Sequence, residues 1–178
     1  MLATIADCGR LLMREGMPMA TVAVDQLRCL MDEAFEGKGK DWHSLLRNLR
    51  SAPAESWRWV PPGGVRSIAD LAQHVGACKF MCENHTFGDA SLRWEHSLVV
   101  GNEALADADS AIAWLREGHE RLRRGLASLD DAELARPRPT YWGVPRETWW
   151  TLSVMIQHDL YHSGEINHIR ALFQRDDC

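Results

Sequence analysis

Apolar positions recur at helical spacing along most of the chain and almost never alternate in strand fashion. Leu2, Ile5, Leu11 and Leu12 predict a short amphipathic helix, broken at Gly16-Met17-Pro18. Val24, Leu27, Leu30, Met31, Ala34 and Phe35 predict a helix of about three turns. Gly37-Lys38-Gly39-Lys40 interrupts it, and Trp42, Leu45, Leu46 and Leu49 resume the period. Pro61-Pro62-Gly63-Gly64 reads as a firm loop.

Ser67-Ile68-Ala69-Asp70 then resembles a capping box, in which the Ser67 hydroxyl accepts from the amide three residues on and Asp70 reaches back. The helix it opens is predicted to run to about Gly88, carrying Leu71, His74, Val75, Cys78, Met81 and Cys82. Ile112, Leu115, His119, Leu122 and Leu126 mark a third long helix. Ser128-Leu129-Asp130-Asp131 starts a short helical turn, ended by Arg136-Pro137-Arg138-Pro139. The last helix is predicted from near Pro145, where a first-turn proline is tolerated, to about Gln174. Its inner face reads Leu152, Met155, His158, His162, Ile166, Ile169 and Phe173. Four long amphipathic helices predict an all-α four-helix bundle over residues 24–178, with residues 1–23 as an N-terminal extension.

Bulk composition narrows the function classes. The chain has 178 residues, 46% of them hydrophobic and 25% charged, which suits one globular domain with a real core. A net charge of −5 with scattered arginines does not suggest a nucleic-acid partner. No apolar run approaches the roughly 20 residues of a membrane span, so no membrane partner is expected. Met1–Arg14 lacks an extended apolar core and a small-residue cleavage pattern, so no secretory signal is expected. The five cysteines form no Cys-x-x-Cys pair, and reduced thiols in a cytoplasm are expected.

The chemistry concentrates in His158-Asp159-Leu160-Tyr161-His162-Ser163-Gly164-Glu165. On a helix, His158 and His162 stack on one face about 6 Å apart along the axis. A bundle core prefers Leu and Ile, and a neutral imidazole is buried cheaply only when its nitrogens find partners. His74 lies on the apolar stripe of the capped helix, three residues after Leu71 and four before Cys78. His74, His158 and His162 would make a facial three-nitrogen metal site with positions left open for water or substrate. Zinc, nickel, iron, cobalt and manganese all accept such ligands, and the sequence does not choose among them. The alternative is a set of histidines hydrogen-bonded in the core.

His168 suggests a rival reading, since His158, His162 and a third His at +10 resemble a metzincin protease signature. Asp159 stands where that signature has its catalytic Glu, and Gly164 comes one position early. On an unbroken helix His168 would lie about 15 Å from His158 along the axis, too far to share an ion.

Several neighbours have two readings. Cys78 could line the site or add a soft ligand, or could be a small buried hydrophobe. Asp70 could orient His74, or simply cap its helix. His119 could approach the site or bond a core group. Glu165, one turn beyond His162, could act as a base, a fourth ligand or a solvated acid. Of the eight tryptophans, Trp57, Trp59, Trp142, Trp149 and Trp150 fall in loops and helix starts, where they could wall a pocket or a dimer face or pack under the loops.

With this arrangement the chain resembles the DinB-like family of the DinB and thiol-dependent transferase superfamily, over roughly residues 24–174. The marks are Asp41-Trp42-His43 with Leu45-Leu46, then Ser67-Ile68-Ala69-Asp70-Leu71-Ala72-Gln73-His74, then His158-Asp159-Leu160-Tyr161-His162-Ser163-Gly164-Glu165-Ile166. The resemblance implies a four-helix bundle, often a homodimer, with a divalent metal on His74, His158 and His162. It also implies a small-molecule substrate and a low-molecular-weight thiol such as mycothiol or bacillithiol, in transfer or isomerisation. Ser163 and Glu165 depart from the Arg and Gln common in the family around the glycine, which leaves substrate and thiol open. Hydrolysis by metal-bound water, with Glu165 as base, and a non-enzymatic metal- or ligand-binding stress protein are the alternatives.

Overall fold

Among residues 21–37 and 44–175, which the computed structural model describes, the helical periods of the sequence become six helices. They are α1 (Val22–Phe35), α2 (Leu45–Ser51), α3 (Ile68–Phe87), α4 (Ser97–Val100), α5 (Ala108–Ala127) and α6 (Thr148–Gln174). The predicted N-terminal helix and the Asp41-Trp42-His43 motif lie outside the described residues. The fold is all-α, and the four long helices pack in a ring, α1 on α5, α5 on α3, α3 on α6 and α6 on α1. The short α2 lies across α6 and α5.

Local chemistry sets the helix ends. The Ser67 hydroxyl accepts from the Asp70 amide at 3.2 Å, and Asp70 Oδ2 accepts from the Ser67 amide at 2.8 Å. This is the predicted capping box, and it satisfies two of the orphan donors at the α3 N-terminus. Ser44 caps α2 by accepting from the Arg47 amide, and Asp107 caps α5 by accepting from the Ser110 amide. A 3-10 turn at Glu133–Ala135 follows α5, as the Ser128–Asp131 run suggests.

Helix α6 starts at Thr148, later than the predicted Pro145. Residues just before it are drawn into a two-residue antiparallel ladder, Pro137 opposite Glu147 and Arg138 opposite Arg146. The Thr148 amide and hydroxyl both donate to the Arg136 carbonyl, at 3.1 and 2.9 Å, so the chain is held extended until there. Leu30 also departs from expectation. It is 54% exposed, because α1 turns only its Val24, Met31, Ala34 and Phe35 face inward.

One part of the core gathers Phe35, Leu45, Leu49, Leu71, Phe80 and Leu115, and another gathers Met31, Cys82, Leu122, Leu126, Leu152 and Met155. Burying each such side chain is worth about 1.5–3 kcal/mol. Helices α3 and α5 approach closely where Gly76 faces Trp114. A Cβ at Gly76 would fall 2.0 Å from the Trp114 ring, so no other residue fits there without movement. Trp114 is held in turn by donation from Nε1 to the Leu98 carbonyl at 3.0 Å.

Cys78 and Cys82 are free thiols, but Cys29 on α1 is disulfide-bonded. The expectation of reduced thiols throughout therefore fails at Cys29. An odd cysteine count excludes complete pairing, not a single bridge. No helix among the described residues is long and apolar enough to cross a membrane.

Candidate metal centre

Helix α3 supplies His74 and Cys78 one turn apart, and α6 supplies His158 and His162 one turn apart. Where the helices meet, the imidazoles turn their Nε2 atoms toward one another. His158 Nε2 lies 3.1 Å from His74 Nε2 and 3.1 Å from His162 Nε2. The ring centroids of all three pairs are 4.3 to 5.0 Å apart. Cys78 Sγ lies 4.0 Å from His74 Nε2. Donor atoms of His74, Cys78 and His158 all fall within 4.8 Å of one another, a cluster that could hold a metal ion.

One contact ties α3 to α6 beside the histidines, and two more surround His162 on α6. Lys79 Nζ, beside Cys78 on α3, donates to Asp159 Oδ2, beside His158 on α6, at 2.6 Å. Both side chains are buried. Asn48 on α2 donates from Nδ2 to the Ser163 carbonyl at 3.0 Å and to its hydroxyl at 2.7 Å, next to His162. The Tyr161 ring stands edge-on to His162 at 5.0 Å between centroids.

Glu165 completes the surroundings. Its Oε2 lies 2.5 Å from His162 Nδ1, so the carboxylate accepts the Nδ1–H and leaves Nε2 with a lone pair facing the cluster. His158 Nε2 then faces two other imidazole nitrogens, while its buried Nδ1 has no hydrogen-bond partner among the described residues. Either neutral tautomer of His158 leaves a ring nitrogen unmatched. A cation among these facing donors would remove the conflict: His74, Cys78 and His158 form a set that could hold one, and His162 Nε2 adjoins that set through His158.

Electrostatics keep the His158 and His74 rings neutral. Burial, reinforced by His162 and His74, pushes the His158 pKa down to about 3. Burial and the nearby His162 and Arg66 charges also lower that of His74. Neutral imidazole is the ligating form. Burial raises the Cys78 thiol above its ordinary range, so it stays protonated without an ion beside it.

The remaining candidates separate. Asp70 is committed to the capping box. His119 lies away from the cluster, bonding Asp32 Oδ1 at 3.1 Å and stacking on Phe35 at 4.0 Å. His168 sits on the exposed face of an unbroken α6, which removes the geometry of the protease reading. Asp159 is the counter-ion of a core lysine. The tryptophans divide, too. Trp57 is buried and donates to the Leu105 carbonyl at 3.1 Å, and Trp59 packs on Phe173. Trp142 packs edge-on against Tyr141 and Trp150.

Lys79 and Asn48 escaped sequence reasoning. Lys79 stands among Val75, Ala77, Cys78 and Phe80, and a lone charge inside such a run was the available signal. Nothing local distinguishes Asn48.

No curated protein matches the chain. The family model described as the DinB superfamily matches residues 38–166, which take in α2, α3, α5 and all three histidines. With most of the chain matched, the protein belongs to the DinB superfamily.

Proposed function

We propose that this protein holds one divalent metal ion on His74, His158 and His162 and uses it to act on a small molecule, with a low-molecular-weight thiol as the candidate co-substrate. The observation that carries this reading is the convergence of three Nε2 atoms, 3.1 Å apart in the His74–His158 and His158–His162 pairs, with the His162 tautomer set by Glu165. Three protein nitrogens leave coordination positions for a ligand, as catalytic sites do. When bound, such an ion supplies Lewis acidity toward a thiol sulfur or a substrate oxygen.

The chain's own residues have separable parts in this scheme. His74, His158 and His162 present ring-nitrogen donors. Glu165 orients His162 and strengthens it as a donor. The Lys79–Asp159 pair ties α6 to α3, and the Asn48–Ser163 contacts tie α6 to α2. Cys78 stands beside His74 as a neutral thiol rather than a required ligand.

Hydrolysis needs a free base near the ion. Glu165, the residue named for that role, is occupied by His162, and this favours transfer or isomerisation over hydrolysis. A homodimer belongs to the same reading. Trp149 and Leu160 are both exposed and lie about three turns apart on one outward face of α6, two large apolar side chains that a second copy would cover.

The test is elemental analysis of purified protein and its variants. His74→Ala, His158→Ala and His162→Ala are each expected to lose the ion, and His168→Ala to keep it. Unchanged metal content in the first three would overturn the site. Turnover of a model electrophile with added thiol, metal-loaded against chelated, then separates an enzyme from a metal-binding protein without activity.

A further inference from the structure

A cleft of ≈ 570 Å³ lies between the Pro61–Arg66 loop and the outer face of α6; the three histidines do not line it, but Tyr161 and Glu165 do, and both touch His162. Leu71, Tyr161 and Ile169 give it apolar walls. Its charged lining is uneven. Arg66 and His168 both line it, and neither has an ion pair or hydrogen bond among the described residues. The one carboxylate in the lining, Glu165, is turned to His162. The cleft therefore offers a guanidinium fork and an imidazole with no internal acid to answer them. Glu165 stands between the cleft and the three histidines, lining the one and bonding His162 of the other.

We infer that this cleft seats the carboxylate end of a small, otherwise apolar substrate whose reacting end lies at the three histidines. A guanidinium binds a carboxylate through two parallel N–H donors, which gives direction as well as attraction. The apolar walls match a hydrocarbon body between the two ends. This inference rests on the metal reading for the position of the reacting end, but the carboxylate seat can be tested by itself.

The experiment uses the full chain with its metal content measured, titrated calorimetrically with phenylbutyrate and with phenylbutanol. These probes share a body and differ in the charged end. Phenylbutyrate is expected to bind about ten-fold more tightly, the effect of one charge-assisted hydrogen-bond pair. Arg66→Ala should remove that preference with metal content unchanged, and Arg66→Lys should keep part of it. Equal binding of the two probes, or a preference that survives Arg66→Ala, would overturn the inference. A preference that survives Arg66→Ala but disappears in His74→Ala would place the carboxylate on the ion. That result sinks the cleft and leaves the metal site standing. A preference that needs Arg66 in a protein without metal would support the cleft while the metal reading fails.

Discussion

Lys79 and Asp159 form an ion pair of 2.6 Å inside the bundle, one position along from Cys78 on α3 and from His158 on α6. The Lys79 ammonium also lies over the Phe35 ring, 4.7 Å from its centroid. Asp159 Oδ1 has no hydrogen-bond partner among the described residues. A buried pair of this kind repays its desolvation only through its partner. Lys79→Met alone, or Asp159→Leu alone, should therefore cost about 3–5 kcal/mol, because each strands a buried charge. The double variant should recover most of that loss. Urea unfolding of the four proteins makes the cycle. Single variants as stable as the parent would show that the pair does not clamp the two helices.

Glu165 predicts a loss in affinity without a loss in fold. It is partly exposed and its contact is with His162 Nδ1. Removing the acceptor in Glu165→Ala should weaken metal binding by about 10–100-fold. Its melting temperature without metal should stay near the parent's. Competition with a chromogenic chelator measures the first, and a thermal scan in excess chelator the second. Affinity equal to the parent's would mean that His162 is oriented without Glu165.

Gly76 predicts the reverse. In Gly76→Ala the new methyl meets the Trp114 ring from 2.0 Å, and Trp114 is anchored through the Leu98 carbonyl. The α3–α5 contact must open, at a cost of about 1–3 kcal/mol. Denaturant titration should show it, and Trp114→Leu in the same chain should return part of it. A neutral effect would show that the indole swings away freely.

The Asp32–His119 pair predicts acid sensitivity. Burial opposes the Asp32 charge, but the His119 hydrogen bond and the Arg123 guanidinium outweigh it and lower the Asp32 pKa. Burial is the largest influence on His119 and lowers its pKa despite Asp32; Lys79 adds to the lowering and Asp159 opposes it. Both folded pKa values thus lie below the unfolded ones. Between folded and unfolded values the unfolded chain binds more protons, so stability falls as pH falls. The His119 contribution is present above its ordinary value of 6.5 and fades below it. The Asp32 contribution is present above 3.8 and fades below that. In His119→Phe the part of the decline that begins near pH 6.5 should disappear in chemical denaturation at a series of pH values. A decline that persists unchanged would assign it to other groups.

The three histidines were legible because each signal is local. A four-residue interval on a helix puts His158 and His162 on one face whatever surrounds them, and an apolar stripe marks the inward side of the helix that bears His74. The Ser67–Asp70 cap was legible for the same reason, since both partners lie within one turn. The start of α6 was misplaced because Pro145 satisfies the local rule for a first helical turn, while pairing with residues 137–138 keeps the chain extended to Glu147.

Sequence periodicity by itself determined an all-helical chain and which histidines point inward, because backbone geometry turns spacing into direction. Tertiary structure alone decided the rest. It set the 3.1 Å approach of His74 to His158, the pairing of Lys79 with Asp159 and the seating of Asn48 on Ser163. These contacts join residues from different helices, and their distances depend on how those helices pack. No spacing along one helix encodes that packing.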